Sequence, residues 1–335
     1  MIDLSGRPPD WPAEVVDAWA ECAQRAVRRP DLWREPAPRG DELLRQMLGE
    51  HLGLDPEHLT ITASLRAAVL TYARHHERVL LERPTYQGVA DTVVAAGAEV
   101  TFHPWTDLLD HREPGRTLVW LTAPCRNPDG ADLSDPDRDR LARLVAAGQR
   151  VVVNGTYAWF ARDHRWPEDV ELAGSLHKLC GLGVRLGWVF SRTFFDEAFA
   201  EMLGTTPSRV WQHAWALFFR DGGYAALHRR LIAPSLESAA AFVERLATGQ
   251  GLLAPAGSGT NLVRPLGPHV DEATALSRLA ERGVRASAGS AFRCETPALR
   301  FTFTGITPAE AVRGADIVAA SGVLAADGRV PAVSR

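Results

Sequence analysis

Ser175-Leu176-His177-Lys178-Leu179-Cys180-Gly181-Leu182-Gly183-Val184-Arg185 contains the only lysine in a chain of 335 residues; every other one of its 37 Lys-plus-Arg positions is arginine. A guanidinium cannot be deprotonated in a protein and cannot form a Schiff base, whereas a lysine amine can do both. A composition that favours arginine explains why lysine is rare. It does not explain why the one survivor lies between a small hydroxyl residue and a Gly-rich run ending in arginine. The placement reads as a chemical role for Lys178.

Outward from this stretch, β-type runs alternate with helical ones. Upstream lie Leu59–Thr62, Arg78–Leu81, Glu99–Phe102, Thr117–Leu121 and Arg150–Val153, and downstream Gly187–Phe190. Helical spacing covers 12–27, 41–52, 65–75, a stretch ending at Gly97, and 132–147, with Asp41 placed as an N-cap. This alternation predicts βαβ units and a mainly parallel sheet covered on both faces, an α/β fold. Functional groups in such a sheet gather at the carboxyl ends of its strands. Residues 62–64, 84–86, 124–127 and 154–157 all fall there. Residues 193–247 read as helical, and the remainder as a smaller α+β lobe. The expected division is a large domain over 40–230, with 1–39 and 231–335 forming an N-terminal arm and a small domain.

The length supports a sizeable core, and 46% apolar with 23% charged residues is ordinary for a globular protein. A net charge of −4 offers no footprint for nucleic acid or an anionic membrane. Cys22, Cys125, Cys180 and Cys294 are scattered, with no zinc spacing, so no metal is expected and a reducing cytoplasm suits them. No leader pattern opens the chain and no apolar run of spanning length occurs in it, so the expectation is a soluble cytoplasmic protein.

Several short motifs then fall in one order. Leu4-Ser5-Gly6-x-Pro8 is followed by Gly40-x-x-x-Leu44-Arg45, by Pro84-Thr85-Tyr86 with Gly97-Ala98-x-Val100, and by Pro124-x-x-Asn127-Pro128-x-Gly130. Asn154-Gly155-Thr156-Tyr157, Ser175-x-x-Lys178 with Arg185, and Gly289-Ser290-x-Phe292 with Leu299-Arg300-Phe301 complete the set. Together they resemble the class I/II aminotransferases, fold-type I enzymes that use pyridoxal 5′-phosphate, from Leu4 to about Ala320. The resemblance implies an aspartate-aminotransferase-like fold, an amino acid or α-keto acid substrate, and a homodimer.

It also implies roles residue by residue. Lys178 is the Schiff-base lysine and proton carrier. Ser64, Leu65 and Arg66 open a helix toward the phosphate, with Ser175 and Arg185 as further donors; helix N-termini and cations suit a dianion. Arg66 is read either as a second phosphate cation or as a solvent-facing residue. Tyr86 stacks on the pyridine, and Asn127 and Tyr157 reach its phenolic oxygen. Arg300 grips the substrate carboxylate and Gly6 lets the arm approach it. His177 is read as catalytic or as supporting its neighbours, and Cys125 and Arg126 as substrate contacts.

Asn154 departs from the pattern, which has aspartate there to keep the ring nitrogen protonated. An amide supplies a hydrogen bond without a counter-charge. The expectation is therefore an aminotransferase or an aminotransferase-derived biosynthetic enzyme. The alternatives are a lyase, decarboxylase or cyclase with an altered electron sink, or a non-catalytic pyridoxal phosphate-binding protein. Asp163 is a further candidate for the ring nitrogen. Members of the family place a neighbour's tyrosine on the phosphate; upstream of Gly40 there is Trp33 but no tyrosine.

Overall fold

The structure, a computed structural model, describes residues 1–6, 9–112, 115–161, 165–192, 206–250 and 259–325. Among them a seven-stranded sheet forms the centre. Its strands are β2 (Leu59–Thr62), β3 (Arg78–Glu82), β4 (Glu99–His103), β5 (Thr117–Thr122), β6 (Arg150–Asn154), β7 (Glu171–Ser175) and β8 (Gly187–Phe190), and its spatial order is β2-β8-β7-β6-β5-β3-β4. Only β8 runs against its neighbours, and the rest are parallel. The reason is visible in the connections. Leu65–Arg74, Gln87–Ala95 and Asp135–Ala146 are crossover helices, which a parallel pair requires.

Alternation along each strand sorts the core into two layers. Val79, Leu81, Leu118, Trp120 and Val152 pack under Leu65–Arg74 and Gln87–Ala95. Leu80, Val119, Leu121, Val151 and Val153 face the other layer, which includes Ala13–Val27, Glu42–Leu52 and Arg209–Arg220. Asp41 caps its helix as expected, accepting from the Leu44 amide, and Ser134 closes a capping box on the helix from Asp135.

Strand β7 is absent from the sequence reading. Leu-Ala-Gly-Ser lacks the β-branched and aromatic residues that mark a strand. What holds it is tertiary: it pairs with β6 and β8, and Gly174 leaves room for Trp188, whose ring a Cβ there would meet at 2.4 Å.

The smaller lobe has an antiparallel sheet of β11 (Ser287–Ala288), β12 (Ala298–Thr302) and β9 (Asn261–Pro265), backed by the helices Ala233–Gln250, Glu272–Glu281 and Pro308–Ser321. Phe242, Leu262, Leu299, Phe301 and Phe303 form its core. Residues 1–39 divide between the lobes. β1 (Ile2–Asp3) pairs with β10 (Val284–Arg285) in the small one, whereas Val15, Cys22 and Ala26 join the large core. Among the described residues no helix is long and apolar enough to cross a membrane, and no group of His, Cys, Asp and Glu is arranged to hold a metal.

Candidate active site

Parallel strands deliver their last residues to one edge, and the singled-out residues collect there. Lys178 follows β7 on the short helix His177–Cys180, and its Nζ lies 5.0 Å from the centroid of the Tyr157 ring. Tyr157 is buried just beyond β6. Burial pushes its phenol up, but the charges of Lys178 and Arg300, with the Lys178 amine and Asn261 amide beside the oxygen, outweigh that and bring it down. Arg300 comes from β12 in the other lobe. Its Nη1 donates to the Ser5 carbonyl at 3.0 Å and its Nη2 to Asn261 Oδ1 at 2.7 Å. Burial pulls the guanidinium pKa down, and Tyr157 opposes this. Gly6 is needed at close quarters: its φ is +111°, and a Cβ would lie 3.1 Å from Arg300 Nη1.

A second group forms where three strands align. Ser175, Gly187 and Thr62 are register partners across β7, β8 and β2. Gly187 lets the strands close up, since a Cβ there would stand 2.8 Å from the Ser64 carbonyl carbon. Ser64 caps the helix from Leu65, its hydroxyl accepting from the Ala67 amide at 3.2 Å, which leaves the Leu65 and Arg66 amides outside the intrahelical ladder. Arg185 sits at φ 47° just before β8. Arg66 and Arg185 are both exposed and make no hydrogen bond or ion pair among the described residues. Two exposed cations thus flank the neighbouring ends of β2 and β8, one of them in the first turn of a helix.

Other candidates fall differently. Ser175 Oγ accepts from the His177 amide and pairs with His177 Nδ1 at 2.5 Å. Burial, then the Lys178 charge, pushes His177 down to about 3, so its imidazole is neutral. Tyr86 is 51% exposed, its ring laid against Gly88, where a Cβ would clash at 2.5 Å. Asn127 is buried, with Oδ1 lacking a partner. Arg126 is engaged by its own neighbours: it forks onto Asp129 at 2.9 and 2.6 Å and stacks 4.3 Å from the Trp105 ring centroid. Cys125 is buried at φ 57°. Asn154 ends β6, Asp163 lies outside the described residues, and Trp33 is exposed.

A family model, aminotransferase class I and II, matches residues 4–318. The chain belongs to this family. Solved structures similar to this aminotransferase-family chain include an archaeal alanine:glyoxylate aminotransferase, at 19% identity and a TM-score of 0.78 over 96% of this chain and 90% of that one. Another is the α-aminoadipate aminotransferase of Thermus thermophilus complexed with N-(5′-phosphopyridoxyl)-L-leucine, at 20% identity and a TM-score of 0.79 over 96% and 92%. The aspartate aminotransferase of Thermotoga maritima matches at 18% identity and 0.78 over 95% and 91%. No curated protein matches by sequence. At these identities the likeness to solved structures shows the fold, and family membership shows an aminotransferase-type protein.

Within this family member the sequence reading overlooked Asn261, Thr122 and Glu82. Asn261 opens β9, is buried, accepts from Arg300 and turns its amide toward the Tyr157 oxygen, its Nδ2 making no hydrogen bond of ordinary geometry among the described residues. Thr122 and Glu82 end β5 and β3 beside Asn154 in the strand order. A polar residue at the end of an apolar strand, the first of β9 and the last of β5 and β3, was the available signal in all three.

Proposed function

We propose that the chain is a pyridoxal 5′-phosphate-dependent enzyme acting on a small amino acid and an α-keto acid, most simply an aminotransferase of the cytoplasm working as a homodimer. One observation carries the reading: the sole lysine faces a buried tyrosine whose phenol is pulled down by that lysine and by an arginine from the opposite lobe. The residues fit such a coenzyme. Among the described residues Asn127 Oδ1, Tyr157 Oη, Asn261 Nδ2 and Arg300 Nε are buried and make no hydrogen bond of ordinary geometry, an arrangement that a polar ligand would complete.

When bound, the coenzyme supplies an aldehyde for the substrate amine and a conjugated ring that takes up electrons from the bond broken at Cα. The protein does the rest. Lys178 supplies the amine that holds the aldehyde and afterwards moves the proton at Cα. Asn127 and Tyr157 hold the phenolic oxygen, and the lowered phenol of Tyr157 suits it to share a proton there. The Leu65 and Arg66 amides, with Arg185, receive the phosphate. The Ser175 hydroxyl is engaged with His177 and supports the loop rather than standing idle. Arg300 and Asn261 orient the substrate carboxylate, and Tyr86 covers the ring from its exposed position.

Borohydride reduction followed by peptide mapping tests this: the reduced adduct should lie on Lys178, and Lys178→Ala should lose it. A colourless protein that takes up no coenzyme would end the reading. Asn154 favours a second reading, a lyase or decarboxylase-type enzyme. An amino acid alone converts the coenzyme to its amine form in a transaminase and leaves the aldehyde form in a lyase.

A further inference from the structure

The amide that replaces the expected aspartate has an orientation fixed by chemistry. The Thr156 backbone N–H donates to the side chain of Asn154 at 3.1 Å. A backbone N–H can only donate, so the atom it meets must be Oδ1 and cannot be the NH2 group. Nδ2 therefore lies on the other side, where it donates to Thr122 Oγ1 at 3.3 Å. Thr122 and Asn154 are register partners on adjacent parallel strands, and both are buried. Turning the amide over would set N–H against N–H at Thr156 in a site sealed from water, leaving a buried donor unpaired at a cost of about 1–3 kcal/mol. Among the described residues one Nδ2 hydrogen is left uncommitted, while Oδ1, held inward by the Thr156 N–H, has one of its two lone pairs taken.

The neighbourhood reinforces this. Beyond Thr122 the next strand ends in Glu82, which is completely buried. The Thr122 amide and hydroxyl both act on the Glu82 carboxyl, although its Oε1 lacks a hydrogen bond of ordinary geometry. A hydroxyl whose hydrogen leans toward Glu82 keeps its lone pairs for Asn154 Nδ2. The carboxyl is thus separated from Asn154 by a whole strand and serves to position the amide.

We infer that Asn154 offers the ring nitrogen of a bound pyridoxal phosphate an N–H, so that the nitrogen is held as an unprotonated acceptor; this rests on the coenzyme reading given above. An unprotonated ring withdraws electrons less strongly than a pyridinium, so the site gives up part of the coenzyme's electron sink. Proton transfer at Lys178 and Tyr157 carries correspondingly more of the catalysis.

The test is the 15N resonance of ring-labelled pyridoxal phosphate loaded on the full chain, with borohydride mapping of the same sample. The expected resonance is that of neutral pyridine throughout the pH range in which the protein stays folded, and Asn154→Asp should move it far upfield to the pyridinium position. Thr122→Val, which keeps the Thr156 clamp, should leave it neutral. A wild-type resonance at the pyridinium position, with the adduct on Lys178, overturns this inference and leaves the coenzyme reading intact. An absent adduct overturns both. The wild-type spectrum decides even if a variant fails to fold.

Discussion

Tyr157 stands under the amine of Lys178, with Nζ 5.0 Å from the ring centroid, and Arg300 presses on the same phenol from the other lobe. Two cations from separate lobes therefore converge on one buried oxygen. Burial alone would keep that oxygen protonated, and the paired cations are what reverse the sign. Tyr157→Phe should keep the coenzyme on Lys178 but lower kcat by about 10²-fold, the low end of what a positioned acid–base group supplies. Steady-state kinetics with an absorbance check on loading decides it. Unchanged kcat would remove Tyr157 from the proton path.

Arg300 has committed Nη1 to Ser5 and Nη2 to Asn261, and its Nε makes no hydrogen bond of ordinary geometry among the described residues. A carboxylate arriving there meets a guanidinium already held in place, with Asn261 Nδ2 beside it. Charge-assisted hydrogen bonds are worth about 1.5–3 kcal/mol each. Asn261→Leu should raise KM by about 10-fold or more with a smaller change in kcat, because it removes a donor and releases Arg300. Arg300→Lys should do worse, since a point charge cannot replace the fork. Equal KM for Asn261→Leu and wild type would exclude Asn261 from substrate binding.

The strands β3, β5 and β6 were legible because Val-Leu-Leu, Leu-Val-Trp-Leu and Val-Val-Val must be buried on both faces, and helices with clear caps between them leave little choice of fold. Lys178 was legible through its rarity, and Arg300 through its motif. Asn261 was not, since an amide next to an apolar run gains meaning only once β12 lays Arg300 beside it. Glu82 and Thr122 were invisible for the same reason: neighbouring strand ends meet only in the folded sheet. Exposure was equally unreadable. Arg66 was open between phosphate and solvent, and it stands exposed in the first turn of its helix.

Glu82 should make stability depend on pH. Burial raises its pKa from 4.5 to about 7, against the opposing pull of Arg126, Thr122 and Trp105. Between those values the folded state holds a proton that the unfolded state has released. The stabilisation is therefore complete below about 4.5 and lost as pH rises through about 7. That gap corresponds to about 3 kcal/mol. Glu82→Gln has no such proton to lose, so its stability relative to wild type should increase across this window and level off above it. Urea midpoints at a series of pH values measure the difference. A difference that stays flat with pH would show that Glu82 ionises normally.

The lysine loop is held from behind by two indoles. Trp11 Nε1 donates to the Leu179 carbonyl at 2.6 Å and Trp211 Nε1 to the Val184 carbonyl at 2.7 Å. These carbonyls bracket Gly181-Leu182-Gly183, so the pair fixes the span between Lys178 and Arg185. The indoles are themselves anchored in an aromatic cluster: Trp11 lies 5.6 Å from Phe218 and Trp211 lies 5.0 Å from Trp19, measured between ring centroids. Phenylalanine would keep most of the packing and lose only the N–H. Trp211→Phe should therefore cost about 1 kcal/mol in global stability. It should speed amide hydrogen exchange at residues 181–185 and weaken coenzyme binding by up to about 10-fold, because the proposed phosphate contact of Arg185 would be less firmly held. Trp11→Phe should act mainly at the lysine end. Its signature would be a slower borohydride-trappable adduct with little change in phosphate affinity. Exchange rates in the loop identical to wild type in both variants would show that the glycines hold their conformation unaided and that the two tryptophans serve only the core.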